Sequence, residues 1–282
     1  QKQHRKEHRT LCKDIAAKHQ DLKKTARLNE AWDVAVDFIR SDDIDGFKKV
    51  LDEDEELVNW GHDEHSGFNL LRASTELARE SFMSILLERG ADFNAKGKDG
   101  ATALMIASQE GHPSCISLLL DRGADVNATG KDGATAIMLA SGKGHPSCIS
   151  LLLDRGADVN AKDNSDDVTA LMAASQYGHP SCISLLLDRG ADLNAKTNDG
   201  YTALMASSQE GHSSCISLLL DRGADVNAKN NKGWTTLMLV SHEGHPSCIS
   251  LLLDRGADVD AIANDGFTTA SSLTKDRQII RM

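Results

Sequence analysis

The chain has 282 residues, of which 40% are hydrophobic, 4% aromatic and 26% charged, and it carries a formal net charge of −11. That composition excludes a disordered, collagen-like or membrane-spanning chain, since its longest apolar runs are only a few residues. Six cysteines are too few for a disulfide scaffold and favour a reducing, intracellular compartment, cytoplasmic or nuclear. No secretory signal is visible, and the start at Gln1 leaves any upstream targeting segment unread.

Residues 1–27 hold nine Lys/Arg against Glu7, Asp14 and Asp21, a net of +6. Residues 13–28 read as a basic helical linker with a solvated face, and a nucleic-acid or membrane tether is the competing use of that charge. Within the first twelve residues, His8-x-x-x-Cys12 places two zinc-ligand types on one helical face. The stretch resembles the end of a MYND-type zinc finger, which runs Cys-Gln-x-x-His/Asp-Trp-x-x-His-Lys-x-x-Cys. Gln1, His4, His8 and Cys12 match, while Arg5 replaces the usual Trp and Arg9 the usual Lys. The resemblance implies that residues 1–12 are the remnant of a finger with most ligands upstream of Gln1. His8 and Cys12 would then be metal ligands only in a longer protein, and the chain as given holds no cofactor. A basic amphipathic helix is the alternative reading.

Residues 28–65 reverse the charge, with thirteen Asp/Glu against three Lys/Arg, a net of −10. Val34, Val36, Phe38 and Ile39, then Phe47, Val50 and Leu51, are expected to face inward. The rest of the chain is also acidic, at −7. A body of this sign repels phosphate backbones, so neither nucleic acid nor membrane is an expected partner of the chain as a whole.

From residue 90 onward the tripeptide Gly-Ala-Asp recurs, its glycine at positions 90, 123, 156, 190, 223 and 256, and a period near 33 residues marks a stacked helical array. One unit is punctuated physically. Thr102 can cap a short helix whose Ala103, Leu104 and Ala107 lie at helical spacing, and Gly111 ends it. Pro113 suits the start of a second helix bearing Cys115, Ile116, Leu119 and Leu120 on one face. Gly123 offers a left-handed terminus, and Asp132-Gly133 a tight turn into the next unit.

These motifs closely resemble the ankyrin-repeat pattern Asp-Gly-x-Thr-Pro-Leu-His-x-Ala-Ala, Gly-His, Leu-Leu, Gly-Ala-Asp-Val-Asn-Ala, matched almost throughout residues 99–264. The resemblance implies an all-α solenoid with repeats at 66–98, 99–131, 132–165, 166–198, 199–231 and 232–264. It implies a diverged capping unit at 29–65 and a C-terminal cap at 265–282, since end repeats must hide a stacking face. Two departures stand out. Thr-Ala-Leu-Met (Thr102 to Met105, Thr169 to Met172, Thr202 to Met205) replaces Thr-Pro-Leu-His, which predicts looser first helices. The unit near Asn164 has one extra residue and Asp166-Asp167 in place of Asp-Gly, which predicts a bulged finger.

One cysteine (Cys115, Cys148, Cys182, Cys215, Cys248) and one histidine (His112, His145, His179, His212, His245) recur per unit. Helices pack about 8–10 Å apart, too far for a disulfide, whose Cα atoms lie within about 7 Å, or for one shared zinc ion. The cysteines are read as buried packers, and the resemblance gives the histidines a structural role. Catalytic motifs are absent, with no Gly-rich phosphate loop, nucleophile elbow or His-Glu-x-x-His, so the chain reads as a non-enzyme.

Second helices are nearly identical between units, whereas turn tips and first-helix ends vary, although recent duplication explains the sameness equally well. The position after the turn glycine runs Phe68, Ala101, Ala134, Val168, Tyr201, Trp234, Phe267. First helices end in Gln109-Glu110, Gly142-Lys143, Gln176-Tyr177, Gln209-Glu210 and His242-Glu243. In ankyrin proteins both positions line the concave partner groove. The resemblance thus assigns a protein partner to Tyr177, Tyr201, Trp234 and Phe267, with Gln176, Gln209, Glu210, His242 and Glu243 as polar rim. Alternatively, Trp234 and Phe267 pack along the turns. The expected protein is a monomeric, non-catalytic scaffold; the competing role is the recognition arm of a larger enzyme or MYND-finger regulator.

Overall fold

The computed structural model describes residues 2–61 and 69–273, and the side chains of residues 2–16 and 19 stand outside that description. Among the described residues every long element is helical, with only two isolated β-bridges, Thr129 to Thr135 and Lys229 to Thr235, inside turns. The chain divides at Asp99/Gly100 into two compact parts, one residue past the boundary expected between the repeats at 66–98 and 99–131.

In the N-terminal part, α1 (Lys2–Ser41) is a single 40-residue helix. It is followed by α2 (Ile44–Glu53), a 3-10 helix (Glu55–Asn59), α3 (Leu70–Glu76) and α4 (Glu80–Glu88). α1 packs on α2 and α3, and α2 packs on α4, so the end of α1 and α2 together form a helix pair stacked on α3 and α4. The inward stripe of α1 is Leu28, Trp32, Ala35, Val36 and Ile39, at helical spacing. Val34, expected inward, is 46% exposed, because it falls between the turns of that stripe. The expected border between linker and capping unit at residues 28 and 29 lies in mid-helix, with Leu28 buried. Phe47 and Phe82 meet edge to face at 4.9 Å between α2 and α4.

The adjoining basic and acidic blocks pair with each other. Lys24 Nζ lies 2.6 Å from Glu56 and Arg27 2.9 Å from Asp54, tying α1 to the 3-10 segment. Some of the basic charge that suggested a tether is therefore engaged within the chain. Asn59 shows that this part keeps the repeat's loop chemistry. Its side chain donates to Gly90 O at 3.1 Å and accepts from Asp92 N at 2.8 Å.

In the C-terminal part, the helices alternate between two layers. The first helices are α5 (Ala103–Glu110), α7 (Ala136–Lys143), α9 (Ala170–Gln176), α11 (Ala203–Gln209) and α13 (Thr236–Glu243), closed by the short α15 (Ala270–Leu273), each packed on the next. The second helices are α6 (Pro113–Asp121), α8 (Pro146–Asp154), α10 (Pro180–Asp188), α12 (Ser213–Asp221) and α14 (Pro246–Asp254), likewise stacked in order. Thr102, Thr169, Thr202 and Thr235 accept from the backbone N–H three residues on at 3.3–3.4 Å, capping α5, α9, α11 and α13. Methionines occupy the place of the family's histidine and are buried at Met105, Met138, Met172, Met205 and Met238. The first helices that lack the family's proline and histidine still run to seven or eight residues.

Three ladders join neighbouring repeats. Asn127 donates to Gly156 O (3.2 Å) and accepts from Asp158 N (2.9 Å), as Asn160 and Asn227 do with the following loops. On the second helices Arg155, Arg189, Arg222 and Arg255 each donate to an Asp of the preceding repeat at 2.7–2.8 Å and to its Ser at 2.8–3.4 Å. These pairs are largely solvated, so each contributes about 0.2–1 kcal/mol, less at high salt. The last loop carries Asp260 where the earlier ones carry Asn. An aspartate side chain has no amide to donate to a following loop, and Asp260 is exposed.

The histidines form the third ladder. Nε2 of His145, His179, His212 and His245 lies 2.9–3.1 Å from the carbonyls of Gln109, Gly142, Gln176 and Gln209 at the end of the preceding first helix. A carbonyl only accepts, so each ring carries its proton on Nε2. The five repeat cysteines are unbridged and buried. Burial raises the thiol pKa of Cys148, Cys215 and Cys248 and pushes Cys182 to about 11. These thiols are expected to resist alkylation in the native chain and to react together on unfolding, which labelling followed by mass spectrometry would show. Because the folded-state pKa lies above the unfolded one, their neutral burial stabilises the fold fully below about pH 9. For Cys182 that contribution is lost as pH rises toward 11.

Candidate interaction groove

Each finger is a tight turn held by its own backbone and clasped by the next one. Asn164 N donates to Asp132 O at 2.8 Å, Asn198 N to Asp166 O at 2.9 Å, Asn231 N to Asp199 O at 2.9 Å and Asn264 N to Lys232 O at 3.0 Å. In the expected bulged finger, Asp167 takes the left-handed backbone (φ 62) that Gly133 (φ 82) and Gly200 (φ 82) take elsewhere. The Asp163 carboxylate accepts from the N–H groups of Asp166 and Val168 at 3.1 and 2.9 Å, and Lys162 pairs with Asp167 at 2.8 Å. The extra residue is absorbed by this side-chain turn, and the stack continues.

This register sets one side chain per repeat in a row after the turn. Val168, Tyr201 and Trp234 are half-buried and Phe267 is 86% exposed, while Phe68 lies outside the described residues. The aromatic stripe is thus not uniformly exposed. Tyr201 is anchored through its N–H to Thr197 Oγ1 at 3.0 Å, and Trp234 through its N–H to Asn230 Oδ1 at 3.0 Å. The Trp234 ring meets His242 edge-on at 5.7 Å, and His242 Nδ1 lies 3.0 Å from Glu243. Tyr177 is 61% exposed, and its ring approaches the position where Gly142 has no side chain. Glu210 and Glu243 are exposed.

Between the fingers at Asp166 and Asp199 lies an open cavity of about 210 Å³. Asp166, Val168, Met172 and Gln176 line it from one repeat, and Asp199, Tyr201 and Gln209 from the next. The structure therefore brings together Tyr201, Gln176 and Gln209 of the expected partner-binding residues, while Tyr177, Trp234 and Phe267 do not line this cavity. Asp166, Met172 and Asp199 also line it and are not among the residues expected to bind a partner. The finger-tip series Asp99, Asp132, Asp166, Asp199, Lys232, Asp265 held a signal, since its one sign reversal marks where the acidic rim is interrupted.

The two carboxylates are exposed and make no ion pair or side-chain hydrogen bond among the described residues, and the nearby Lys162 is engaged by Asp167. Among the described residues no group of three or more His, Cys, Asp and Glu is placed to hold a metal ion. The side chains of His8 and Cys12 lie outside the described residues, so the ligand pair expected there has no geometry to test. No described helix is long and apolar enough to cross a membrane.

A family model described as ankyrin repeats (3 copies) matches residues 42–130, 70–163, 128–197 and 161–230, and a second, ankyrin repeats (many copies), matches residues 210–253. None of these matches reaches residues 1–12, and the zinc-finger resemblance gains no support from them. Among solved structures, the chain is similar to the ankyrin repeat domain of Bcl-3, described as a unique member of the IkappaB protein family. Identity is 27% over 77% of this chain and 98% of that one, with a TM-score of 0.66. The human ASB11 ankyrin repeat domain shares the fold at 24% identity, covering 76% of this chain and 97% of that one, with a TM-score of 0.70. Comparison with curated protein sequences finds no match.

Proposed function

The chain belongs to the ankyrin-repeat family, whose domains are typically protein–protein interaction modules, and from that premise we propose that it is a non-catalytic intracellular scaffold. It binds a protein through the groove formed by its fingers and first-helix ends. The observation that carries this reading is the divided design of the repeats. Second helices repeat Cys-Ile-Ser-Leu-Leu-Leu with their ladders intact, while the row Val168, Tyr201, Trp234, Phe267 changes at every step and stays partly or fully exposed. Large rigid side chains at such positions contribute most per residue once a partner excludes water. Tyr177, Tyr201, Trp234 and Phe267 are the anchors, with Gln176, Gln209, Glu210, His242 and Glu243 around them.

The test is quantitative affinity capture with wild-type chain and a Tyr201→Ala, Trp234→Ala, Phe267→Ala variant of unchanged helicity by circular dichroism. A bound protein should be lost by about tenfold or more, since truncating one anchor costs about 2 kcal/mol. Unchanged capture by the folded variant would make the row structural and remove the reading.

A further inference from the structure

Resting on the interaction-module reading, we propose that the cavity between the fingers at Asp166 and Asp199 receives an arginine side chain presented by the protein partner. Its size points to a single side chain, since about 210 Å³ falls below the 300–1,000 Å³ typical of small-molecule sites.

The chemistry of the wall selects the side chain. Two aspartates and no lysine or arginine line the cavity, and neither carboxylate is neutralised by a described neighbour. Gln176 and Gln209 add carboxamide oxygens that can accept, and Tyr201 supplies a ring face on which a guanidinium can stack. Several acceptors in one cavity suit the five fixed donors of arginine better than the compact ammonium of lysine. Val168 and Met172 offer apolar surface to the methylene stem. The acidic body of the protein, at −11 overall, draws a cationic partner toward the groove.

The probe is N-acetyl-arginine amide titrated into the full isotope-labelled chain and followed by amide-resolved NMR. Saturable shifts are expected at the amides of Asp166, Val168, Asp199 and Tyr201 and at the side-chain amides of Gln176 and Gln209. An Asp166→Asn, Asp199→Asn variant should weaken the probe by about tenfold or more. Its melting temperature should match the wild type, because neither carboxylate makes an ion pair or side-chain hydrogen bond among the described residues. N-acetyl-norleucine amide should leave these signals unmoved. No shift at the cavity, equal shifts with norleucine, equal affinity for N-acetyl-lysine amide, or full binding to the folded double variant would each overturn the assignment. A silent cavity alongside capture that still depends on Tyr201, Trp234 and Phe267 removes only the arginine site. Capture that depends on none of them removes the interaction reading itself.

Discussion

Leu186→Ala is expected to destabilise the C-terminal part by about 3–4 kcal/mol, read as a fall in the denaturation midpoint. Leu186 is fully buried in α10, a helix that packs on α9, α8 and α12, so the lost methyl groups leave a void that three helices have to close. Because each repeat touches only its neighbours, coupling along the array is a sum of interface terms, and a central void weakens the interface on both sides. Hydrogen exchange should therefore show faster opening in the repeats on either side of α10. Leu185→Ala on the same helix, at a half-buried position, should cost less than half as much. Equal costs for the two would mean that burial in α10 does not control stability.

Gly133→Ala should cost about 3 kcal/mol, whereas Asp167→Gly, at the corresponding place one finger later, should change stability by less than about 0.5 kcal/mol. Gly133 has φ 82, which costs a residue with a Cβ about 1–2 kcal/mol. Its Cβ would also collide with the backbone nitrogen of Asn164, the donor that clasps Asp132 O. Overpacking of this kind adds about 1–3 kcal/mol. At Asp167 the extra residue in the finger already accommodates a side chain, and the exposed pair with Lys162 is worth little. Chemical denaturation of the two variants beside the wild type checks both values. A mild Gly133→Ala would mean that the finger clasp yields freely.

The repeat itself was legible because its punctuation is local. Threonine caps, prolines at the first turn of second helices and glycines at left-handed turns act within four residues of themselves, so their spacing reports helix ends directly. The stripe of α1 is legible only in part. Val34 lies among the apolar residues expected inward between positions 34 and 39, while the phase of the helix is set by the buried Leu28 and Trp32, which leave Val34 exposed. The candidate site was legible at Tyr201, Gln176 and Gln209, since the positions after the turn and at the first-helix end are not the same in every repeat. Asp166, Met172 and Asp199 were not, since a cavity belongs to two repeats at once.

The 33-residue period, the all-helical class and the ends of the helices followed from the sequence alone, because each rests on interactions between residues a few places apart. Only the tertiary structure decided that the histidines bond the carbonyls of the preceding repeat and that the basic end of α1 pairs with the acidic segment after α2. It alone decided, too, which groove residues share one cavity. These contacts join residues about thirty positions apart, and it is the packing of helices on one another that determines which side chains meet.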